Sequence, residues 1–202
     1  DIVGMVLIVF LRAQWLQGFD KQGRPVVYRQ YGNFEIWELL KMTSMEKLLD
    51  FHVWEIEQQV SLLNKQTEAA KTTVETFLIV MDANNWSLRL ATRDAYTYIR
   101  GMAEIDNTHF PERLGKLYVI NAPSVLSFAW RMISSWIDPA TRDKISILSA
   151  PEDWQAALFE DVDRDQVPQM YGGLASDPTP EVLRNFDPDA MIAAYQRSKA
   201  GT

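Results

Sequence analysis

Four short apolar runs, separated by long helix-forming stretches, constrain the fold of this chain more than any other feature. Each run is rich in β-branched or aromatic residues and bounded by Gly, Pro, Asn or Asp, as β-strands are; they lie at 25–28, 77–81, 117–120 and 145–148. The stretches 33–42, 44–70 and 87–107 predict helices from their helix-forming residues or the helical spacing of their apolar residues. Strands that alternate with helices of this length favour crossover connections. The sequence therefore predicts an α/β fold with a mostly parallel sheet flanked by helices.

Composition excludes several classes of protein. The 202 residues include 20 basic and 27 acidic side chains, and the resulting net charge of −7 argues against a nucleic-acid-binding protein. The absence of Cys excludes disulfides, cysteine zinc sites and thiol nucleophiles. The longest apolar run, 2–11, is shorter than the about 20 residues of a membrane-spanning helix. We interpret it as the end of an upstream helix or as a strand docked on a partner.

Signatures of catalysis are missing from the sequence. It contains no G-x-S-x-G elbow, no G-x-G-x-x-G after a strand and no phosphate-binding loop. We expect His52, inside a long helix, to be a structural histidine, and His109 to cap carbonyls at a helix end. The acidic residues within 152–163 could hold a hard cation, but the pattern favours a solvated face. We therefore expect no enzymatic activity, no metal and no cofactor.

The segment 124–137 predicts a helix whose apolar arc is wider than docking on a core requires. One apolar stripe contains Leu126, Trp130, Ile133 and Ile137, and the neighbouring stripe contains Val125, Ala129, Met132 and Trp136. Such a helix is buried, lines a pocket or lies against lipid, and the residues alone leave all three open. Asp138 and Pro139 end it and begin a second short helix as its N-cap and first residue.

Several motifs in register resemble the CRAL-TRIO lipid-binding family. The closest segments are DKQGRPV at 20–26, FPERLGKLYVINAP at 110–123, WIDP at 136–139 and VPQMYGG at 167–173. The similarity spans about residues 16–173 in order. It implies a sheet that forms the floor of an apolar pocket and a helical gate, falling on 124–144, that opens at a membrane.

The resemblance also assigns residues to this pocket. It implies that the pocket is lined by Phe77, Ile79, Leu117, Val119, Leu126, Trp130 and Ile133. At the gate, Trp130, Trp136 and Ile137 would contact the membrane, because an indole favours the bilayer interface.

Head-group selection is implied only where this sequence matches the family motif. In phosphatidylinositol-binding members, the Glu of the P-E-R-x-G-K segment and the Lys before the last strand bind the inositol phosphate, and these positions are Glu112 and Lys144 here. Lys supplies a compact positive charge for phosphate, although a surface ion pair explains the two residues equally well. Phe77 and Ile79 stand where phosphatidylcholine-binding members carry hydroxyls, which speaks against phosphatidylcholine.

We therefore expect non-enzymatic binding and intermembrane transfer of a lipid, with phosphatidylinositol or a phosphoinositide as the favoured ligand. A wholly hydrophobic ligand stays open. The domains would be an N-terminal apolar segment (1–15), the lipid-binding domain (16–173) and a C-terminal tail (174–202), which is either a solvated terminus or a partner-binding arm. We expect a cytoplasmic or membrane-peripheral protein that contacts membranes transiently. The alternative is an accessory or scaffold subunit of a larger, membrane-bound assembly, with protein contacts through 1–15 and 174–202.

Overall fold

A five-stranded sheet organises the described part of the molecule. The computed structural model describes residues 14–32, 34–179, 191–193 and 196–197. The strands are β1 (Gln14–Phe19), β2 (Pro25–Gln30), β3 (Phe77–Asp82), β4 (Leu114–Ile120) and β5 (Ile145–Ile147). They lie side by side in sequence order; β2 to β5 are parallel to one another, and β1 is antiparallel to β2. This confirms the predicted α/β fold with a mostly parallel sheet.

The helices follow the strands as crossover connections and as short caps. They are α1 (Ile36–Leu40), α2 (Met45–Ala70), α3 (Arg93–His109), α4 (Leu126–Ile133), α5 (Pro139–Arg142) and α6 (Pro151–Asp161). The long helices begin at side-chain caps: the Ser44 hydroxyl accepts from the Lys47 N–H at 3.3 Å, and the Thr92 hydroxyl accepts from the Ala95 N–H at 3.2 Å. Each cap satisfies one of the backbone donors that a helix N-terminus leaves free.

One face of the sheet packs into a solid core under α6. Side chains at even positions, such as Tyr28, Leu78 and Tyr118, point to this face and are at most 1% exposed. Trp154 and Leu158 of α6 pack onto them. Trp15 stacks on Tyr28 with ring centroids 5.2 Å apart. These large side chains fill the layer between the sheet and α6.

The opposite face carries the odd positions and lies under α2, α3 and α4. Ile79, Met81, Leu117 and Val119 point to this side. Because side chains alternate along a strand, neighbouring residues of β3 and β4 belong to different layers. The two faces of the sheet thus have different surroundings: the even face packs in the core, and the odd face lines a cavity.

The described part of the C-terminal tail packs on the domain. Residues 191–193 and 196–197 are helical, Ile192 is buried against Phe19 and Leu62, and the Gln196 amide donates to the Ala69 carbonyl at 3.2 Å. Ile192 and Gln196 thus contact their own domain. The apolar run 2–11 lies outside the described residues. Strand β1 begins at Gln14, two positions before the predicted start of the lipid-binding domain.

Among the helices that the structure describes, none has the combination of length and apolarity needed to cross a bilayer.

Candidate functional site

A cavity of about 690 Å³ separates the odd face of the sheet from α2, α3 and α4. Its floor consists of apolar side chains from β3, β4 and β5, and its walls come from the three helices. All seven side chains predicted to line a pocket lie in this wall: Phe77, Ile79, Leu117, Val119, Leu126, Trp130 and Ile133. Phe77 and Trp86 lie in the wall and leave the interior open. A space of this size and composition can hold a drug-sized or acyl-chain ligand.

Helix α4 covers the cavity and also presents an apolar outer face. Its inner face brings Ala129, Trp130 and Ile133 to the cavity. On its outer face Phe128 is 61% and Met132 49% exposed. The wide apolar arc in the sequence therefore reflects two different surroundings, a cavity on one side and solvent on the other.

The other two residues assigned to the gate lie in different places. Ile137 lines the cavity. Trp136 packs edge-to-face against Tyr96 with ring centroids 5.9 Å apart and is not part of the cavity wall among the described side chains. Trp136 thus anchors the end of the α4 segment to α3.

An ion pair lies at the edge of the cavity where β4 and β5 begin. The Lys144 Nζ lies 2.9 Å from Glu112 Oε2, and the two side chains are 27% and 81% exposed. Glu112 has a φ of 59°, which turns the chain sharply between α3 and β4. Asp138 also lines the cavity, and its hydrogen bonds with Thr141 hold the pKa of its carboxyl below the ordinary value. The structure therefore brings the two predicted head-group residues together at the rim.

A second polar cluster, the Arg29 cluster, lies in the cavity wall, where β2 faces α2 and α3. It consists of four residues that line the cavity, Arg29, His52, Gln59 and Asp106, and of Glu55, which pairs with Arg29. The Arg29 guanidinium is 3.4 Å from Glu55 Oε1, which also accepts from the Gln59 amide at 2.8 Å. His52 Nε2 lies 2.7 Å from Asp106 Oδ1. The Arg29–Glu55 ion pair is thus largely buried, with the two side chains 10% and 15% exposed.

Arg29 keeps its charge in this environment. Burial alone lowers the pKa of the guanidinium, but Tyr31 and Glu55 raise it, and the net result is a pKa above the ordinary value. Burial raises the pKa of the neighbouring Tyr31, so its hydroxyl stays protonated at neutral pH. At this corner the cavity wall therefore holds a permanent cation on Arg29, the Asp106 carboxylate and the phenol of the neighbouring Tyr31.

Sequence reasoning missed this cluster. His52 is held by a partner, as a structural histidine is, but it also lines the cavity. The alternation of side chains along β2 could have predicted part of it. Arg29 and Tyr31 have the same odd register as Val27 and therefore face the helices on that side of the sheet.

The acidic residues around 152–163 lie away from the cavity, on and after α6. Asp161 is tied to Lys116 at 2.8 Å. Within the described part of the chain, no three His, Asp or Glu side chains lie close enough together to hold a metal ion.

Comparison with known proteins finds similar sequences over most of the chain. Residues 11–173 match the model of the CRAL/TRIO domain. The chain is 35% identical over 161 residues to the SEC14 cytosolic factor of Candida glabrata, covering 79% of this chain and 52% of that protein. It is 31% identical over 161 residues to the phosphatidylinositol/phosphatidylcholine transfer protein SFH4 of Arabidopsis thaliana, covering 79% of this chain and 26% of that one.

A solved structure shares the fold. The crystal structure of Sfh5 superposes with a TM-score of 0.66 at 22% sequence identity, over 82% of this chain and 55% of that one. These matches confirm the family resemblance read from the motifs. The chain spans about half the length of the Candida relative and about a quarter of the Arabidopsis relative.

Proposed function

The chain belongs to the CRAL/TRIO domain family, and on that premise we propose that it binds a lipid in the cavity and carries it between membranes. The observation that carries this proposal is the cavity of about 690 Å³ with its apolar floor. Each buried methylene of an acyl chain contributes about 0.8 kcal/mol relative to water, so the transfer of a chain of about 16 carbons from water into the cavity is strongly favourable. The name of one relative, phosphatidylinositol/phosphatidylcholine transfer protein SFH4, supports the same interpretation.

The favoured ligand is phosphatidylinositol or a phosphoinositide. Lys144 at the rim supplies a positive charge for a phosphate, and the Glu112 carboxylate beside it can accept inositol hydroxyls. The floor positions Phe77 and Ile79 offer no hydroxyl to a choline head group. In this arrangement the head group lies at the rim and the acyl chains extend inward.

Helix α4 is the gate of the proposed carrier. Its inner side chains contact the cavity, and its outer side chains Phe128 and Met132 are available to a bilayer. Moving α4 into a membrane exchanges one apolar contact for another, so the opening costs little free energy. Lipid can then pass between the cavity and the bilayer while its chains stay out of water.

The proposed activity needs no catalysis. The described cavity wall holds one imidazole, His52, which is already paired with Asp106. A role as a scaffold subunit is the alternative, for which the tail would have to contact a partner; Ile192 and Gln196 contact their own domain.

Native mass spectrometry and lipid extraction of the purified protein test the proposal. We expect a copurifying lipid, and we expect the emptied protein to load phosphatidylinositol from vesicles. Recovery of no lipid, together with failure to load any lipid or hydrophobic probe, would refute lipid binding.

Substitution of the rim lysine tests the head-group assignment. Lys144→Met should weaken phosphatidylinositol pickup about tenfold, because a charge-assisted hydrogen bond contributes about 1.5–3 kcal/mol. Binding of an uncharged hydrophobic probe should be unchanged. Lys41→Met, at an exposed lysine outside the cavity wall, is the matched control. Equal losses for both ligands in Lys144→Met would refute the assignment.

A further inference from the structure

The Arg29 cluster lies at the corner of the cavity opposite the rim pair. Arg29 on β2 is in register with Met81, Val119 and Ile147 across the sheet. Lys144 precedes β5 and lies three residues before Ile147 along that strand. Three residues along a strand and three strand spacings across the sheet place the two positions roughly 17 Å apart. The cavity thus runs between two separate polar ends.

The cluster has hydrogen-bonding capacity that the described residues leave unused. Arg29 is 9% exposed, and its Nε is buried with no hydrogen-bond partner among the described residues. Its contact to Glu55, at 3.4 Å, is long for a charge-assisted bond. Arg29 also lines the cavity, so an acceptor that enters the cavity can bind the accessible part of its guanidinium.

We infer that the Arg29 cluster is a second polar subsite, which binds an uncharged oxygen group, a hydroxyl or an ester carbonyl, carried by the lipid at a distance from its head group. The inference rests on the proposed function, since it requires an amphiphile in the cavity. Either oxygen can accept from the accessible part of the Arg29 guanidinium, and a hydroxyl can also donate to the Asp106 carboxylate in the cavity wall.

The charges of the cluster favour an uncharged group over an ion. Arg29 is paired with Glu55, and His52 with Asp106. An entering anion would be close to the carboxylates of Glu55 and Asp106, and an entering cation would be close to the Arg29 guanidinium. A neutral dipole avoids both repulsions and also avoids the desolvation of a further charge.

Long-chain acids that differ only at the far end test this subsite. The probes are hexadecanoic acid, 16-hydroxyhexadecanoic acid, hexadecanedioic acid and its monomethyl ester. Binding is followed by the fluorescence of Trp86 and Trp130, which line the cavity. We expect the hydroxy acid and the monoester to bind about tenfold more tightly than hexadecanoic acid, through a hydrogen bond to a charged group. The diacid should bind less tightly than either of them.

A double substitution removes the subsite while preserving charge balance. Arg29→Met alone would leave Glu55 buried and unpaired, so Arg29→Met/Glu55→Met is used. This variant should bind hexadecanoic acid at least as well as the parent and should lose the preference for the oxygenated probes. Arg89→Met/Glu35→Met removes another Arg–Glu pair, outside the cavity wall, and should keep the preference.

The outcomes separate this inference from the proposed function. Failure of every probe to bind would overturn lipid binding and the subsite together. Equal binding of the plain and hydroxy acids by the parent protein would overturn only the subsite, and so would a preference that survives in the double variant. Tightest binding of the diacid would overturn the assignment of an uncharged group. The comparison of probes on the parent protein decides the question even if the double variant does not fold.

Discussion

Asp161, at the end of α6, connects the helix to the even face of the sheet through two side chains of β4. It accepts a hydrogen bond from the Tyr118 hydroxyl at 2.7 Å and lies 2.8 Å from Lys116 Nζ. Burial alone raises the pKa of Asp161, but the hydrogen bonds from Lys116 and Tyr118 lower it, and the net pKa lies below the ordinary value. A carboxylate with a lowered pKa stabilises the folded state only while it is ionised.

Asp161→Asn should therefore destabilise the protein at neutral pH and have little effect in acid. We expect a loss of about 1 kcal/mol in the free energy of unfolding at pH 7, the usual contribution of one such contact. The folded pKa lies below the unfolded value of about 3.9, so the contribution is present above that value and disappears as the pH falls through the folded pKa. Urea denaturation at pH 7 and pH 3 measures the difference.

Glu160→Gln changes an exposed carboxylate beside Asp161 on the same helix and serves as the control. It should change stability little at either pH. A loss in Asp161→Asn that is the same at pH 3 and pH 7 would contradict the role of the ionised carboxylate.

Asp138 makes a second residue-scale contribution, at the junction between the α4 segment and α5. Its carboxylate accepts from the Thr141 N–H at 2.9 Å and caps α5. Asp138→Ala should cost about 1 kcal/mol in stability through the lost cap, whereas Asp138→Asn should cost little, because Asn caps as well as Asp. Thermal unfolding of the two variants compares them; equal destabilisation by Ala and Asn would show that the cap is not responsible.

The residues of the site differ in how far the sequence predicts them. Glu112 and Lys144 are found because each lies in a recognisable motif, and the structure places them 2.9 Å apart. Arg29 can be assigned to a face from strand alternation. Its partner Glu55 comes from a helix 26 residues away, and no local pattern specifies which turn of α2 crosses β2. Long-range pairing of this kind depends on helix packing.

At the scale of elements, α4 has the most specific consequence, because its outer face is apolar and exposed. Phe128→Ser/Met132→Ser should reduce binding to phospholipid vesicles, since each large apolar side chain contributes about 1.5–3 kcal/mol when it is buried. Binding of a soluble hydrophobic probe in the cavity should be retained, because neither side chain lines it. Vesicle sedimentation measures the first effect and probe fluorescence the second.

Met170→Ser/Leu174→Ser is the matched control for this prediction. Both side chains are exposed, at 47% and 69%, and they lie in the segment that follows α6. This variant should bind vesicles as the parent protein does. Equal losses in both double variants would mean that general surface hydrophobicity, rather than the face of α4, determines membrane binding.

The sequence predicts the strands and helices whose apolar residues recur at regular spacing. The four apolar runs and the helices around 44–70 and 87–107 are present in the structure. The sequence does not predict strand β1, because Gln14, Gln17 and Gly18 interrupt its apolar pattern. It does not predict helix α6 either, because the buried residues Trp154 and Leu158 lie four residues apart among acidic residues.

At the scale of the whole molecule, the sheet separates a filled layer from a hollow one. Strand and helix alternation predicts that both faces are covered, and the structure confirms it. The alternation does not predict which layer contains a cavity, because the distance between the helices and the sheet depends on the side chains that pack between them. The even face is filled by large aromatic rings, whereas the odd face encloses about 690 Å³.

Removal of the ligand should lower the thermal stability of the whole domain. A ligand present at 100 times its Kd stabilises the folded state by about 2.7 kcal/mol. For a domain of this size, this corresponds to a Tm decrease of roughly 5–10 °C on extraction. Scanning calorimetry before extraction, after it and after reloading measures the change. An unchanged Tm at all three stages would contradict occupancy of the cavity.

The alternation of β3 and β4 between the two layers has an evolutionary consequence. Leu78, Val80 and Tyr118 pack in the filled layer, whereas their immediate neighbours Ile79, Met81 and Leu117 face the cavity. Substitutions at every second position can therefore reshape the cavity without disturbing the filled layer. We expect relatives that bind different ligands to differ at the odd positions first.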